Sequence, residues 1–413
     1  MPVHYPLTRK PTPPQALPGD AGSAAPRIVG VDTARGLALL GMFAVHVYGA
    51  FASDGSPTPA WVFAGGRSAA TFALLAGVGL AFTTGGRRPD VGRPQYAAVA
   101  TRAALIGLVG LLLGYASRAA DLDVDVILAY YALLFLLAIP LMRLRPGALT
   151  ALSLTLAVAG PVVVHVLRGV LPQPAFDGDP VLTDVFTDPL GLLSNLLVQG
   201  NYPALAWMAY LCAGLAVGRL DLTSARIARR LLVGGLALAA AAWLTATALL
   251  TRFGGLWHLW RAEFPHTPWP QARHEVLWDT GNDSTWWSLL SRAPHSTSPF
   301  DLLQTLGSAC SLLGAALLLT RLTPTRRLLS PLTAAGTMPL TLYCAHVLLL
   351  ATGALGDSPD LLYGLLVAGS LLFAACWRRA VGRGPLETGI AVIARGARQV
   401  TRPSVEPQSS QSS

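Results

Sequence analysis

Asp32, Arg35 and His46 are the first groups in the chain able to do chemistry. They lie in the run Gly30-Val-Asp-Thr-Ala-Arg-Gly-Leu-Ala-Leu-Leu-Gly-Met-Phe-Ala-Val-His46. On an α-helix the eleven steps from Arg35 to His46 turn about 1100°, some 20° past three full turns, and rise about 16 Å. Both side chains therefore share one face at different depths, and Asp32, one turn before Arg35, can pair with it. A neutral imidazole serves as general base toward a hydroxyl or amine, or as a nucleophile that accepts an acyl group. Two readings of Arg35 stand: it marks the membrane edge, or Asp32 holds it while its fork contacts the phosphate or pyrophosphate of a cytoplasmic donor.

The elements that must carry these groups are membrane spans. The 413-residue chain is 53% hydrophobic and 12% charged, and its apolar runs repeatedly exceed the roughly 20 residues a bilayer requires. The pattern predicts an all-α polytopic membrane protein of about ten helices, near 32–52, 61–83, 95–117, 124–142, 147–168, 201–219, 228–251, 301–320, 332–353 and 360–378. With the N-terminus inside, the inner segments hold Arg9, Lys10 and Arg27, then Arg87, Arg88 and Arg93, and so on to Arg378, Arg379 and Arg383. Outer loops hold fewer arginines and most of the acids, among them Asp121, Asp123, Asp125, Asp177, Asp179, Asp279 and Asp283. Positive loops stay cytoplasmic, so this alternation predicts N-in/C-in topology. The net charge of +9 is then accounted for by loops facing anionic lipid, and it is no evidence for nucleic acid.

Residues 1–26 are proline-rich without an apolar core and read as a disordered cytoplasmic tail. Residues 27–380 form the membrane domain, and 381–413 a cytoplasmic tail disordered at its end. Cys212, Cys310, Cys344 and Cys376 lie in spans without short paired spacing, so no disulfide framework or thiolate metal site is indicated. Gly214-x-x-x-Gly218 and Gly107-x-x-Gly110-x-x-x-Gly114 permit close helix approach. No internal repeat supports a transporter of inverted halves.

Two outer loops, about 169–200 and 252–300, are long. The second carries six of the ten tryptophans and His258, His266, His274 and His295. It reads either as an interfacial aromatic belt or as a lid over an outward cavity. Spacings of eight among His258, His266 and His274 do not fit zinc, and no metal is expected.

Depths can be compared between spans of like direction. His46 and His346 each lie about 14 residues from the cytoplasmic start of their span, roughly 21 Å up. Arg67 enters the second span from outside to the same layer, where it could stabilise an oxyanion or hold a carboxylate. His165 and Tyr202 can join that layer.

Asp32-x-x-Arg35-Gly36-x-Ala38-Leu39 with His46 resembles the opening of the transmembrane acyltransferase superfamily, including the Arg-x10-His pattern of acyltransferase family 3. The same opening resembles heparan-α-glucosaminide N-acetyltransferase and the bacterial YeiB-like membrane proteins. Tyr202-Pro203-x3-Trp207, running to Gly214-x3-Gly218-Arg219, is a further match. Gly336-Thr-Met-Pro-Leu340-Thr-Leu-Tyr343 with His346, and Gly384-Pro385-Leu386-Glu387, resemble the C-terminal signature of YeiB-like proteins. The heparan enzyme and YeiB-like proteins usually carry asparagine where this chain has His46. The heparan enzyme's proposed catalytic histidine follows the first helix, where residues 47–66 here contain none.

The resemblance implies transfer of an acyl group, commonly acetyl from cytoplasmic acetyl-CoA, to a sugar-like or other acceptor across a bacterial-type inner membrane. It assigns acyl handling to His46 and support to Arg35. Asp32, Arg67 and His346 complete the candidate catalytic set, with Arg35 on the donor and His165, Tyr202, Trp207 and Tyr343 lining the substrate. No tightly bound cofactor is expected, and acyl-CoA is the co-substrate. Two other readings remain: a permease or exporter of an anionic solute, and a non-catalytic membrane partner protein.

Overall fold

The computed structural model describes residues 27–87, 89, 91–278 and 285–401. Every regular element among them is helical, apart from an isolated bridge between Phe51 and Pro57. The expected disordered segments at 1–26 and beyond 401, and Arg88, Asp279 and Asp283, lie outside the described residues.

Helix α1 (Val29–Tyr48) leads through α2 (Pro59–Ala64) into α3 (Arg67–Thr83), followed by α4 (Arg93–Ala119), α5 (Leu128–Ala138) and α6 (Pro146–Arg168). The short α7 (Asp184–Thr187) and α8 (Pro189–Ser194) precede α9 (Ala204–Gly218) and α10 (Ala225–Arg252). The tryptophan-rich loop contains α11 (Gly255–Glu263) and α12 (Trp269–Trp278). Then come α13 (Pro299–Leu319), α14 (Thr323–Leu328), α15 (Ser330–Ala335), α16 (Pro339–Ala351), α17 (Pro359–Ala380) and α18 (Pro385–Val400).

Among the described residues six segments are long and apolar enough to cross a bilayer: Pro59–Thr83, Arg93–Ala119, Pro146–Arg168, Ala225–Arg252, Pro299–Leu319 and Pro359–Ala380. The other expected spans fall on α1, which carries Asp32 and Arg35 near its start, and on apolar helices of 10–17 residues such as α9 and α16. The reason α16 is short is local. The expected span 332–353 is split at Gly336–Met338, and Pro339 restarts the helix at a position where its missing N–H costs nothing. The fifth helix begins at Leu128, not near 124, so Asp125 stands in a loop.

Helix α9 is the axis of the bundle. Every residue in it except Leu205 is buried, as its uninterrupted apolar sequence requires. α3 and α6 pack along it, α5 touches it, and α1 packs on α3, α13, α15 and α17. By contrast α10 and α17 bury only narrow stripes of small residues and leucines. The glycine motifs supply close approaches. A Cβ on Gly214 would strike the Leu74 carbonyl of α3, and one on Gly110 would meet Ala129 and Leu128 of α5.

A candidate acyl-transfer site

The helix break that shortens α16 also builds the polar end of the site. Gly336 packs so closely on α1 that a Cβ there would collide with the Asp32 carbonyl, and a Cβ on Gly36 would collide with that of Leu332. Thr33 and Thr333 bridge the same contact with hydroxyls 2.9 Å apart. Buried Asp32 accepts from Arg27 Nε at 2.7 Å and from Arg35 Nη1 at 3.2 Å, and Arg35 Nη1 also lies 3.3 Å from the Gly336 carbonyl. The carboxylate thus holds Arg35 in place, and its site in the first turn of α1 suits the positive end of the helix dipole.

Past the break, Glu387 caps α16. Its carboxylate accepts from the amides of Leu340 (2.8 Å) and Thr341 (3.1 Å) and from the Thr341 hydroxyl (2.6 Å). The Gly384-Pro385-Leu386-Glu387 stretch therefore closes the open N-terminus of the helix that carries Tyr343 and His346, satisfying amides that would otherwise be orphaned.

At the other end of the site, His46 Nδ1 lies 2.9 Å from His346 Nε2, with the rings stacked 5.2 Å apart. His346 is 1% exposed and packs against Phe43 and Tyr343. His46 opens into a cavity of about 20 Å³ that Asp125, Tyr202, His295 and Tyr343 also line. Gly66, Ser68 and Ala69, at the start of α3, also line it. The break between α2 and α3 needs Gly66, whose φ of 67° favours glycine.

His295 reaches this cavity from the tryptophan-rich loop, just ahead of α13. Its ring stands among Trp61 (5.8 Å), Tyr202 (5.5 Å) and Trp207 (6.3 Å). Its backbone adopts φ 64°, and Thr297 adopts 52°, left-handed conformations uncommon for such residues that concentrate at functional sites. Burial lowers the His295 pKa to about 4, so the ring is neutral at physiological pH.

Asp125 reaches the cavity from the loop before α5, and Asn201 Nδ2 donates to its Oδ1 at 2.5 Å. Burial, reinforced by the charge of Asp179, raises the Asp125 pKa to about 6, while the Asn201 bond pulls it back. Asp179 pins the same loop by accepting from the Val126 amide at 2.7 Å. Tyr343 Oη lies 3.3 Å from both the Ile127 amide, which donates to it, and the Asp125 carbonyl.

A second cavity, about 150 Å³ and mostly apolar, runs from Arg35 between Phe72, Ile106, Tyr131 and Leu340. Met42, Ile127 and Tyr343 line both cavities, so one layer of side chains separates the Arg35 end from the His46 end. Arg102 of α4 lies within electrostatic range of Arg35 and Arg383, which makes the Arg35 end basic.

Of the residues singled out from the sequence, Asp32 and Arg35 pair at one end, and His46, His346, Tyr202, Trp207 and Tyr343 gather at the other. Arg67 does not line the His46 cavity. Its Nη1 donates to the Val62 carbonyl at 2.9 Å, and it faces a separate small cavity with Arg292, Pro294 and Gln304. His165 is also elsewhere, its ring 4.5 Å from that of Trp286. Sequence reasoning missed His295, Asp125 and Trp61 as site residues. The available signal was the position of His295 in a tryptophan-rich loop immediately before a span. Among the described residues no group of histidines, cysteines and acids is arranged to hold a metal ion.

An all-helical bundle with several bilayer-length apolar helices and imidazoles paired inside it defines an integral membrane protein with a buried polar centre. Residues 27–258, more than half of the chain, match the family described as heparan-alpha-glucosaminide N-acetyltransferase, catalytic, and the chain belongs to that family. No curated protein matches it. The family is one of membrane acetyltransferases.

Proposed function

We propose that the protein transfers an acyl group, acetyl in the simplest case, from cytoplasmic acyl-CoA to a hydroxyl or amine of a sugar-like or other acceptor at the outer face of a bacterial-type inner membrane. The observation that carries this reading is the pair of cavities sharing Met42, Ile127 and Tyr343, one ending at Arg35 and the other at His46. In the topology that goes with it, about ten segments span the membrane with both termini inside, as the arginine distribution favours. The Arg35 end is then cytoplasmic and the His46 end lies toward the outside.

In this mechanism Arg35, steadied by Asp32 and within electrostatic range of Arg102, attracts the donor's phosphates. The apolar cavity takes the uncharged arm that carries the thioester. In the tautomer this mechanism requires, His46 Nδ1 carries the proton shared with His346 Nε2, 2.9 Å away, which leaves the lone pair of His46 Nε2 free. That nitrogen either removes the acceptor's proton or takes the acyl group itself before passing it on. The thioester C–S bond breaks, a C–O or C–N bond to the acceptor forms, and the acceptor's proton leaves on the thiol. The first amides of α3, beside Ser68 and Ala69, supply partial positive charge for the developing oxyanion. Neutral His295, Asp125 and Tyr202 contact the acceptor.

The test is purified protein with labelled acetyl-CoA and a panel of sugar and amine acceptors. Binding, with acyl transfer or exchange abolished by His46→Ala, is expected. Failure of the donor to bind and of any label to move would overturn the reading. Solute movement in proteoliposomes without donor would instead favour a permease.

A further inference from the structure

A further cavity lies apart from both site cavities. It holds about 620 Å³ and is lined by the guanidinium-bearing side chains of Arg321, Arg326, Arg327, Arg378 and Arg379. They come from the ends of α13 and α17 and from α14, and the cavity floor is α15. No carboxylate lines it. Arg321 donates to the Thr223 carbonyl, but among the described residues the guanidinium groups of the other four have neither a hydrogen bond nor an ion pair. Five cations gathered from three helices around one space repel each other unless an anion sits among them.

Two features say what sort of anion. α13 and α17 are both long enough to cross the bilayer, and both end at this cavity, which places it at the boundary between apolar and polar layers. The flanks are also apolar and bare. Leu372 stands one turn before Ala375, a lining residue, on the same face of α17 and is 66% exposed; Leu322 and Leu328 beside the arginines of α14 are 58% and 78% exposed. A soluble phosphate would use the arginines and leave these leucines without a partner. An amphiphile uses both.

We propose that this cavity seats the phosphodiester headgroup of an anionic phospholipid, its acyl chains running along the exposed leucines of α17 and α14. Guanidinium forks match phosphate oxygens in pairs, and basic pockets between helix ends at a membrane surface suit such headgroups. The assignment stands apart from the acyl-transfer reading and does not depend on it.

The full chain is to be purified in neutral detergent and offered phosphatidylglycerol, phosphatidylcholine and inorganic pyrophosphate separately, with bound adducts counted by native mass spectrometry. Phosphatidylglycerol is expected to bind roughly tenfold or more tightly than phosphatidylcholine. The combined Arg326→Gln, Arg327→Gln, Arg378→Gln and Arg379→Gln variant is expected to bind both alike, and lysine at the same four positions to restore most of the preference. A preference unchanged by the glutamines overturns the proposal. So does arginine-dependent binding of pyrophosphate without lipid preference, which would assign the cavity to a soluble phosphate. Should the glutamine variant not fold, the wild-type chain decides: a preference undiminished at about 1 M salt, where exposed charges are screened, also overturns it.

Discussion

His46 Nδ1 and His346 Nε2 are 2.9 Å apart, although 300 residues of chain separate them. Two imidazoles joined this way divide one hydrogen bond between them, so the tautomer of one dictates that of the other. The ring that opens into a cavity is then the one free to react, and that ring is His46.

Removing the His46 imidazole with His46→Ala is expected to lower acyl transfer roughly 10²- to 10⁴-fold, the range for loss of a general base. His346→Asn should cost less alone and almost nothing added to His46→Ala, because the two act as a unit. Transfer assays on both single variants and the double variant check this, and additive losses would contradict it. His165→Ala, whose ring packs on Trp286, should leave transfer unchanged.

Donor recognition is expected to fail at the other end. On the proposed acyl-transfer reading, Arg35→Gln should raise the KM for acyl-CoA at least about tenfold, with Arg102→Gln acting in the same direction, since each removes a positive charge from the Arg35 end. Equilibrium binding of labelled acetyl-CoA to each variant measures it. Unaltered binding in both would remove Arg35 from the donor site.

The pH dependence of stability can be split between two residues. His295 has a folded pKa near 4, below its ordinary 6.5, so between these values the unfolded chain binds more protons and its contribution to stability falls as pH falls. Asp125 has a folded pKa near 6, above its ordinary 3.8, so between 6 and 3.8 the native chain binds more protons and its contribution rises as pH falls. His295→Gln should therefore gain stability relative to wild type as pH is lowered from 6.5 to 4, by up to about 3 kcal/mol. Asp125→Asn should lose relative stability between pH 6 and 4. Thermal unfolding in detergent across this range compares the slopes, and parallel curves for both variants would refute the assignment.

The cap on α16 and the glycine contact on α1 should each be measurable. Glu387→Ala removes the acceptor for two helix-end amides and should cost about 1–2 kcal/mol. Gly336→Ala forces a methyl into the Asp32 carbonyl and should cost about 1–3 kcal/mol while loosening Arg35. Chemical or thermal unfolding of each variant beside wild type reads both effects.

Much of this architecture is legible in the residues, because a bilayer punishes polar groups and so writes the spans into apolar runs. The Asp32–Arg35 pair followed from helical spacing, and the shared level of His46 and His346 followed from counting residues along two spans of like direction. Local rules explain as much for Gly214 and Gly110, whose small size announces a close neighbour. They do not reach the break at Gly336–Met338, the start of α5 beyond Asp125, or the short length of α9 and α16.

Sequence by itself determined that this is a helical membrane protein, which groups are expensive to bury, and that Arg35 and His46 share a face. Only the tertiary structure decided which of those groups meet. It brought His295 and Asp125 in from loops, turned Arg67 and His165 away, and set two cavities back to back across Met42, Ile127 and Tyr343. The physical reason is that depth in a bilayer is encoded by distance along one helix, whereas the direction a loop takes depends on packing among residues far apart in the chain.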